Sequence, residues 1–205
     1  MGVTRPPGTA GYGETADALV RQYESLAFAD VHRDLLPLLP QLPARALDIG
    51  AGTGRDAAAL TALGHAVTAV EPTPELRAAA QRLHGDAPIR WIDDALPDLA
   101  RVRALGERFD LVLLSAVWMH LDDDERHAAM TAVAALLAPG GVMSLSLRHG
   151  PVPTGRRMFE VTAAETRVLA EAEGLRTLHD STAAALLNGP EVWWSRLVFA
   201  APPRS

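Results

Sequence analysis

The stretch ALDIGAGTGRD, residues 46–56, decides the fold. Its apolar start, residues 46–49, predicts a buried strand, and the Ala-rich segment from Arg55 onward predicts a helix. Glycines at positions 50, 52 and 54 join the two elements. Glycine lets a ligand approach the backbone closely, and the N–H groups that begin a helix point toward such a ligand. The stretch therefore predicts a binding site where a strand meets a helix.

The composition of this loop argues against a dinucleotide as the ligand. Its glycines follow the spacing G-x-G-x-G, and Arg55 stands where the dinucleotide spacing G-x-G-x-x-G has its third glycine. Asp48 lies in the strand end, where a buried carboxylate would repel phosphates and attract a cationic amino group. The chain also contains no lysine, since all 19 basic residues are arginine, which excludes the Tyr/Lys pair of one class of dehydrogenases. A Rossmann dehydrogenase is therefore disfavoured.

Outward from the loop, strand patterns alternate with helix patterns. Apolar runs predict strands at residues 66–70, 89–92, 110–115, 142–147, 176–179 and 193–200. Capping residues, prolines and glycines delimit helices at residues 55–63, 73–85, 122–137 and 162–174. This alternation is typical of an α/β fold with an open, mostly parallel sheet. We expect a single domain, with an N-terminal helical cap segment at residues 1–43 and a core at residues 44–205.

Polar residues follow the predicted strands at the edge where such sheets bind ligands. Glu71 ends the second strand, about twenty residues after the glycine loop, where an acid can accept two ribose hydroxyls. Asp93 and Asp94 follow the third strand, and Ser115-Ala116 end the fourth. Together with the glycine loop, these residues predict a site for a ligand that contains a nucleoside.

In five stretches the sequence resembles the class I S-adenosylmethionine-dependent methyltransferases: LDIGAGTG (47–54), AVEP (69–72), WIDDALP (91–97), FDLVLLSAVWMHL (109–121) and LLAPGGVMSLSLR (136–148). The resemblance implies a Rossmann-like three-layer sandwich with a seven-stranded sheet, parallel except for its last strand. It also implies an enzyme that uses S-adenosyl-L-methionine and releases S-adenosyl-L-homocysteine.

The resemblance assigns cofactor-binding roles to particular residues. Asp93 is the choice for the contact to the adenine amino group, with Asp94 as the alternative, and Tyr23 belongs to the segment that closes over the methionine end or else to the core. The full cofactor set comprises Tyr23, Asp48, Gly50, Ala51, Gly52, Gly54, Glu71, Pro72, Asp93, Asp94, Ser115 and Ala116.

Two histidines are candidates for a general base, because methylation of an alcohol, phenol or protonated amine is helped by one. His120 follows the fourth strand and His149 follows the fifth. The alternatives are that either ring only packs, or that positioning alone drives the reaction. Tyr12, Trp118 and Arg148 are the candidates for acceptor binding, and the arginine suits a carboxylate.

Composition narrows the class of protein further. A formal charge of −6 argues against nucleic acid as the main partner, and the absence of cysteine excludes thiolate chemistry. No histidines have metal-ligand spacing, so we assign no metal site. The sequence lacks a long apolar run and an apolar signal segment, and this favours a cytoplasmic protein without a membrane span.

The leading hypothesis is thus methyl transfer to an O or N atom of a small molecule. The alternatives are a protein- or RNA-directed methyltransferase, or a partner protein that binds S-adenosylmethionine without turnover. The sequence does not identify the acceptor.

Overall fold

A computed structural model describes residues 6–40, 43–187 and 189–204. Its centre is a seven-stranded sheet with strand order β3-β2-β1-β4-β5-β7-β6, in which β7 runs antiparallel to both neighbours. The strands are β1 Arg45–Ile49, β2 Ala66–Val70, β3 Arg90–Ile92, β4 Phe109–Leu114, β5 Leu137–His149, β6 Arg176–Ala184 and β7 Trp193–Ala200. The predicted Rossmann-like sheet, parallel except for its last strand, is confirmed.

Seven helices accompany the sheet in the described residues. They are α1 Ala16–Glu24, α2 Phe28–Val31, α3 Arg55–Ala62, α4 Pro74–Leu83, α5 Ala100–Ala104, α6 Asp123–Ala134 and α7 Ala163–Ala172. Side chains of α5, α6 and α7 belong to the apolar cluster on one face of the sheet, and those of α2 and α3 belong to the cluster on the other. These are the three layers that the sequence predicted.

Strand β4 is apolar from Leu111 to Leu114 because both of its faces are buried. Successive strand residues point to opposite faces, so Leu111 and Leu113 join the α3 side while Val112 and Leu114 join the α6 side. All four are fully buried. Because helices cover both faces of the parallel part of the sheet, these strands read as continuous apolar runs rather than as an alternation.

The structure differs from the predicted elements in three places. Strand β5 begins at Leu137 and includes Pro139-Gly140-Gly141, which the sequence placed in a turn; a register shift against β4 absorbs these residues. Helix α5 was not predicted, and β6 extends to Ala184, beyond the predicted strand end at residue 179. Weak local signals cause each difference, since proline and glycine in β5 mimic a turn and α5 has only five residues.

The N-terminal cap segment proposed for residues 1–43 packs onto the core where it is described. Leu19 of α1 lies in a small apolar cluster with Leu76 of α4, and Phe28 of α2 packs with the α3 face of the sheet. Residues 1–5, 41 and 42 lie outside the described residues. In the described part of the chain, no helix combines the length and the apolarity that a membrane span requires.

Candidate active site

A cavity of about 720 Å³ lies over the carboxyl ends of β1, β2, β4 and β5. The glycine loop and the residues after β2 and β4 form one end of it. The N-terminal segment and the loop after β5, residues 150–158, form the other end. Open α/β sheets bind ligands at this edge, so the cavity is the candidate site.

Each position of the loop requires glycine for its own structural reason. Gly50, Gly52 and Gly54 all have positive φ angles, between 57° and 85°. A Cβ on Gly50 would lie 2.5 Å from Cγ2 of Val117, so a side chain there would collide with the segment after β4. Gly54 begins α3, and a Cβ on it would press on Trp91 at 3.0 Å. Gly50 and Gly52 line the cavity, whereas Gly54 serves the packing behind it.

The Glu71 carboxylate is held in the cavity wall by backbone amides. The N–H of Gly52 donates to Oε2 at 2.8 Å, and the N–H of Thr73 donates to Oε1 at 2.7 Å. Burial raises the pKa of Glu71, and these two amides oppose that rise. The Thr73 side chain also hydrogen-bonds the carboxylate, which has about four acceptor sites and so keeps acceptor capacity for a ligand.

Asp48 is a buried carboxylate with an unused oxygen. Among the described residues, its Oδ2 has no hydrogen-bond partner. Burial raises the pKa of Asp48 well above its ordinary value, and the negative charge of Asp56 adds to the effect. Asp56 itself is paired, because it contacts His32 Nε2 and Arg55 Nε at 2.7 Å each. Asp48 belongs to the lining of the cavity, and a buried carboxyl group with an unpartnered oxygen suits a cationic ligand group.

The structure places most of the expected cofactor residues along the cavity. The lining includes Tyr23, Asp48, Gly50, Ala51, Gly52, Glu71, Pro72, Asp94, Ser115 and Ala116. Asp93 and Gly54 are not in the lining; the Asp93 carboxylate forms an ion pair with Arg77 at 3.1 Å. Asp94 lines the cavity, but its oxygens already accept the N–H groups of Ala95, Arg101 and Val102. Asp94 therefore caps the following helical turn.

Ala116 carries backbone strain in the cavity wall. Its φ of 59° is in the left-handed region, which residues with a side chain rarely adopt. The conformation is held from the next strand, because the Ala116 N–H donates to Ser146 Oγ at 2.9 Å. Strained residues cluster at functional sites, so the strain favours a role for this segment in ligand contact.

His120 has both ring nitrogens engaged. Nδ1 lies 2.7 Å from the Arg157 carbonyl oxygen, which can only accept, so Nδ1 carries the proton. In the neutral ring Nε2 is then an acceptor, and the Tyr12 hydroxyl donates to it at 2.9 Å. Burial lowers the pKa of His120, and the positive charges of Arg156 and Arg157 lower it further. The ring is thus a neutral base with its basic nitrogen directed at Tyr12.

Tyr12 connects the N-terminal segment to this histidine. Its hydroxyl also interacts with that of Tyr23, and burial raises the pKa of both phenols. The Arg156 guanidinium lies over the Tyr12 ring, 3.7 Å from its centroid. The phenol therefore stays protonated and can pass a proton without becoming a stable anion.

Two of the catalytic and acceptor-binding candidates, His149 and Trp118, also lie away from the cavity lining. Along β5, Ser144, Ser146 and Arg148 face the cavity, and His149 points to the other face. The His149 ring stacks on Trp193 with centroids 3.7 Å apart, and its Nε2 is 2.9 Å from Ser195 Oγ. The sequence could not assign this face, because His149 is the last residue of its strand. Trp118 is fully buried in the apolar core.

Sequence reasoning missed Arg157, which fixes His120 from two sides. Its Nη1 donates to the His120 carbonyl at 2.6 Å, and its own carbonyl accepts from the ring. Its guanidinium pairs with Glu125 at 2.7 Å and Asp122 at 2.9 Å, the two residues of the capping box that begins α6. Arg157 lies in a loop without periodicity, so no sequence signal marked it.

Comparison with known proteins agrees with this geometry. Residues 46–141 match the family model described as a methyltransferase domain. Over these residues the chain is similar to class I methyltransferase domains. S-adenosylmethionine is the cofactor of this class. The match covers the glycine loop, Glu71 and His120, but ends before Arg148 and Arg156.

Part of the chain is also similar to curated methyltransferases. The ubiquinone biosynthesis O-methyltransferase of Cereibacter sphaeroides is 37% identical over 118 residues, which are 58% of this chain and 47% of the relative. An uncharacterized methyltransferase of Mycobacterium bovis is 31% identical over 130 residues, 60% of this chain and 64% of the relative. The chain thus spans about half to two thirds of the length of these relatives.

The fold of the whole chain is also found in a solved methyltransferase. The structure of the Burkholderia thailandensis 1,6-didemethyltoxoflavin-N1-methyltransferase, with bound 1,6-didemethyltoxoflavin and S-adenosylhomocysteine, is 24% identical. The alignment has a TM-score of 0.68 and covers 98% of this chain and 93% of that one. The similarity extends beyond the methyltransferase domain to the N-terminal segment and the strands after residue 141.

Proposed function

We propose that the protein transfers a methyl group from S-adenosylmethionine to an oxygen or nitrogen atom of a small-molecule acceptor. The observation that carries the proposal is the position of the neutral His120 ring, which shares one cavity with the glycine loop and Glu71. A nucleoside-binding end and a base-bearing end thus meet in one space, as methylation of an O–H or N–H group requires.

The residues at one end of the cavity fit the cofactor. The Glu71 oxygens retain acceptor capacity for ribose hydroxyls, and the unused Asp48 oxygen suits the ammonium group of the methionine part. Gly52 has open space where a side chain would stand, apart from Tyr23 at 4.0 Å. When bound, S-adenosylmethionine supplies an electrophilic methyl group on its sulfonium. The chain's task is to hold the acceptor and remove its proton.

The Tyr12–His120 pair is suited to accept that proton. The acceptor O–H or N–H proton would pass to the Tyr12 oxygen while the Tyr12 hydroxyl proton passes to His120 Nε2. The acceptor atom would gain the methyl group as the S–CH₃ bond of the sulfonium breaks, which leaves the neutral thioether of S-adenosylhomocysteine. Nδ1–H continues to donate to the Arg157 carbonyl and stabilises the charged ring. The displaced proton thus ends on Nε2, and the new methyl bond replaces the O–H or N–H bond of the acceptor.

The choice of a small acceptor rests on how the cavity is covered. The N-terminal segment crosses it, with Gly11 so close to Gly155 that a Cβ on Gly11 would lie 2.8 Å from the Gly155 carbonyl oxygen. Arg156 donates to the Ala10 carbonyl at 3.3 Å and to Thr15 Oγ1 at 2.9 Å. The names of the relatives cite methylation at oxygen in one case and at nitrogen in the other, so both atoms remain in the proposal.

The test is direct. Purified protein is incubated with S-adenosylmethionine and a panel of small phenols, carboxylic acids, amines and heteroaromatic compounds, and S-adenosylhomocysteine is measured. We expect at least one acceptor to give turnover that disappears in the Glu71→Ala variant. Binding of S-adenosylhomocysteine without turnover on any compound would instead favour a non-catalytic binding protein.

Asp48 makes the binding of the cofactor depend on pH. In the free protein its raised pKa means that the carboxyl holds a proton at pH values where an ordinary Asp is ionised. A cationic ligand group binds the ionised form more tightly, so the proton must leave when the ligand binds. We therefore expect the affinity for S-adenosylhomocysteine to rise with pH up to the pKa of free Asp48 and then to level off.

Calorimetry in two buffers with different ionisation enthalpies checks this expectation by counting released protons. Adenosine, which lacks the ammonium group, is the matched ligand and should show no proton release. Asp48→Asn should bind S-adenosylhomocysteine more weakly and without the pH dependence. Equal pH profiles for both ligands would remove the ammonium contact from Asp48.

A further inference from the structure

The charges along the cavity differ between its two ends. Carboxylates of Asp48 and Glu71 lie at the cofactor end. At the other end the lining contains Arg148, Arg156 and Arg157, and the last two exert a positive potential that lowers the pKa of His120. Glu125 and Glu191 also belong to the lining, so the preference for an anion or a cation depends on which of these arginines lacks a carboxylate partner.

Most of the arginines in this lining already have a partner. Arg55 pairs with Asp56, Arg157 with Asp122 and Glu125, and Arg196 with Asp34 at 3.3 Å. Arg156 is occupied by the Tyr12 ring and by the N-terminal segment.

Arg148 differs from these residues. Across residues 6–40, 43–187 and 189–204, no carboxylate lies within ion-pair distance of its guanidinium. Its one hydrogen bond runs from Nη1 to the Pro151 carbonyl at 2.8 Å, in a group that has five N–H donors. This unneutralised charge faces a cavity rather than bulk solvent alone, because β5 directs Ser146 and Arg148 to that side.

The surroundings of Arg148 suit a flat molecule. Trp194 lies directly opposite it on β7 and also lines the cavity. Met119 and Met158 supply further apolar surface in the same lining. A planar guanidinium binds a carboxylate through two parallel hydrogen bonds, and an indole ring beside it offers a surface for the rest of a planar acid.

We propose that Arg148 is the specificity-determining residue that binds the carboxylate of a planar, carboxylate-bearing acceptor. The inference rests on the proposed function, because it names the acceptor class of the same site. Arg148 anchors the acid, Trp194 contacts its plane, and the Tyr12–His120 pair receives the proton from the group that is methylated.

The experiment compares matched acid and amide pairs: salicylate with salicylamide, anthranilate with anthranilamide, and nicotinate with nicotinamide. Binding of each compound is measured by calorimetry to the protein saturated with S-adenosylhomocysteine, so that no turnover is needed. In at least one pair we expect the acid to bind about tenfold or more tightly than its amide, as a charge-assisted bidentate contact would give.

Variants of Arg148 then test whether this residue causes the preference for acids over amides. Arg148→Met keeps the length of the side chain but not its charge, and we expect it to reduce the preference to below about twofold with unchanged S-adenosylhomocysteine affinity. Arg148→Lys should keep part of the preference, because it keeps the charge without the fork. Arg101→Met, at an exposed position of α5, is the matched control and should behave as wild type.

The two hypotheses can fail separately. If Arg148→Met keeps the full preference, or if no acid binds more tightly than its amide, the inference is overturned while the proposed function stands. If the wild-type protein does not bind S-adenosylhomocysteine, the proposed function fails before acceptors are compared.

Discussion

Replacement of His120 by alanine is expected to lower kcat by about 100-fold or more, the usual range for loss of a general base. The reason is local, since the variant removes the nitrogen that accepts from Tyr12 at 2.9 Å. The dissociation constant of S-adenosylhomocysteine should stay close to wild type, because the glycine loop and Glu71 are unchanged. Steady-state kinetics on an accepted substrate, with calorimetry for the cofactor product, measure both quantities.

The pH profile of the wild-type enzyme provides a second test of His120. Only the neutral ring accepts a proton, and burial lowers the pKa of His120 below the ordinary histidine value of about 6.5. Activity should therefore persist below that value and fall only as pH passes through the lowered pKa. His149→Ala is the matched control, because that ring stacks on Trp193 outside the cavity lining. A His120→Ala variant that raises KM with normal kcat would reduce the histidine to a binding role.

Replacement of Glu71 by alanine is the second large effect. Ribose hydroxyls that donate to a carboxylate form charge-assisted hydrogen bonds of about 1.5–3 kcal/mol each. Loss of two should weaken binding of S-adenosylhomocysteine by at least about 100-fold. The variant also leaves the buried N–H groups of Gly52 and Thr73 without their acceptor, which loosens the glycine loop itself. Calorimetry gives the dissociation constant, and circular dichroism checks that the fold is retained.

A second variant at position 71 separates the charge of the side chain from its shape, and the same substitution at a surface glutamate serves as the control. Glu71→Gln replaces one carboxylate oxygen with an NH₂ group that would face a backbone N–H, so it should also bind weakly. Glu107→Gln changes a surface glutamate that pairs with Arg90, and it should bind as wild type. An unchanged dissociation constant in Glu71→Ala would place the ribose contact elsewhere.

The sequence predicts the sheet and the cofactor end well because both depend on local patterns. Apolar strands, alternate glycines and acids at strand ends are close in sequence, and the topology of an α/β fold brings them to one edge. Which of two neighbouring acids faces the ligand is harder to predict. Asp93 and Asp94 are adjacent in sequence, and the direction of each side chain depends on the backbone conformation there. In the structure Asp93 forms an ion pair with Arg77, and Asp94 accepts hydrogen bonds from the helical turn that follows.

The other end of the cavity could not be predicted in the same way. Tyr12 and His120 are 108 residues apart, and Arg156 meets Thr15 across 141 residues. Such contacts follow from how the N-terminal segment folds back over the sheet, and no periodicity records that path. The face on which His149 lies depends on the register of a long strand whose start was itself misplaced in the sequence analysis.

The division of the cavity between distant parts of the chain has an evolutionary consequence. Most of the proposed cofactor residues lie within residues 46–141, the part that matches the family model, whereas Tyr12, Arg148 and Arg156 lie outside it. Substitutions can therefore accumulate in the part of the N-terminal segment before α1 and in the loop after β5 while Glu24, which binds Thr53 of the glycine loop, is kept. A gene duplicate that diverges only in these two stretches would keep the binding site for the methyl donor, while its specificity for the acceptor could change.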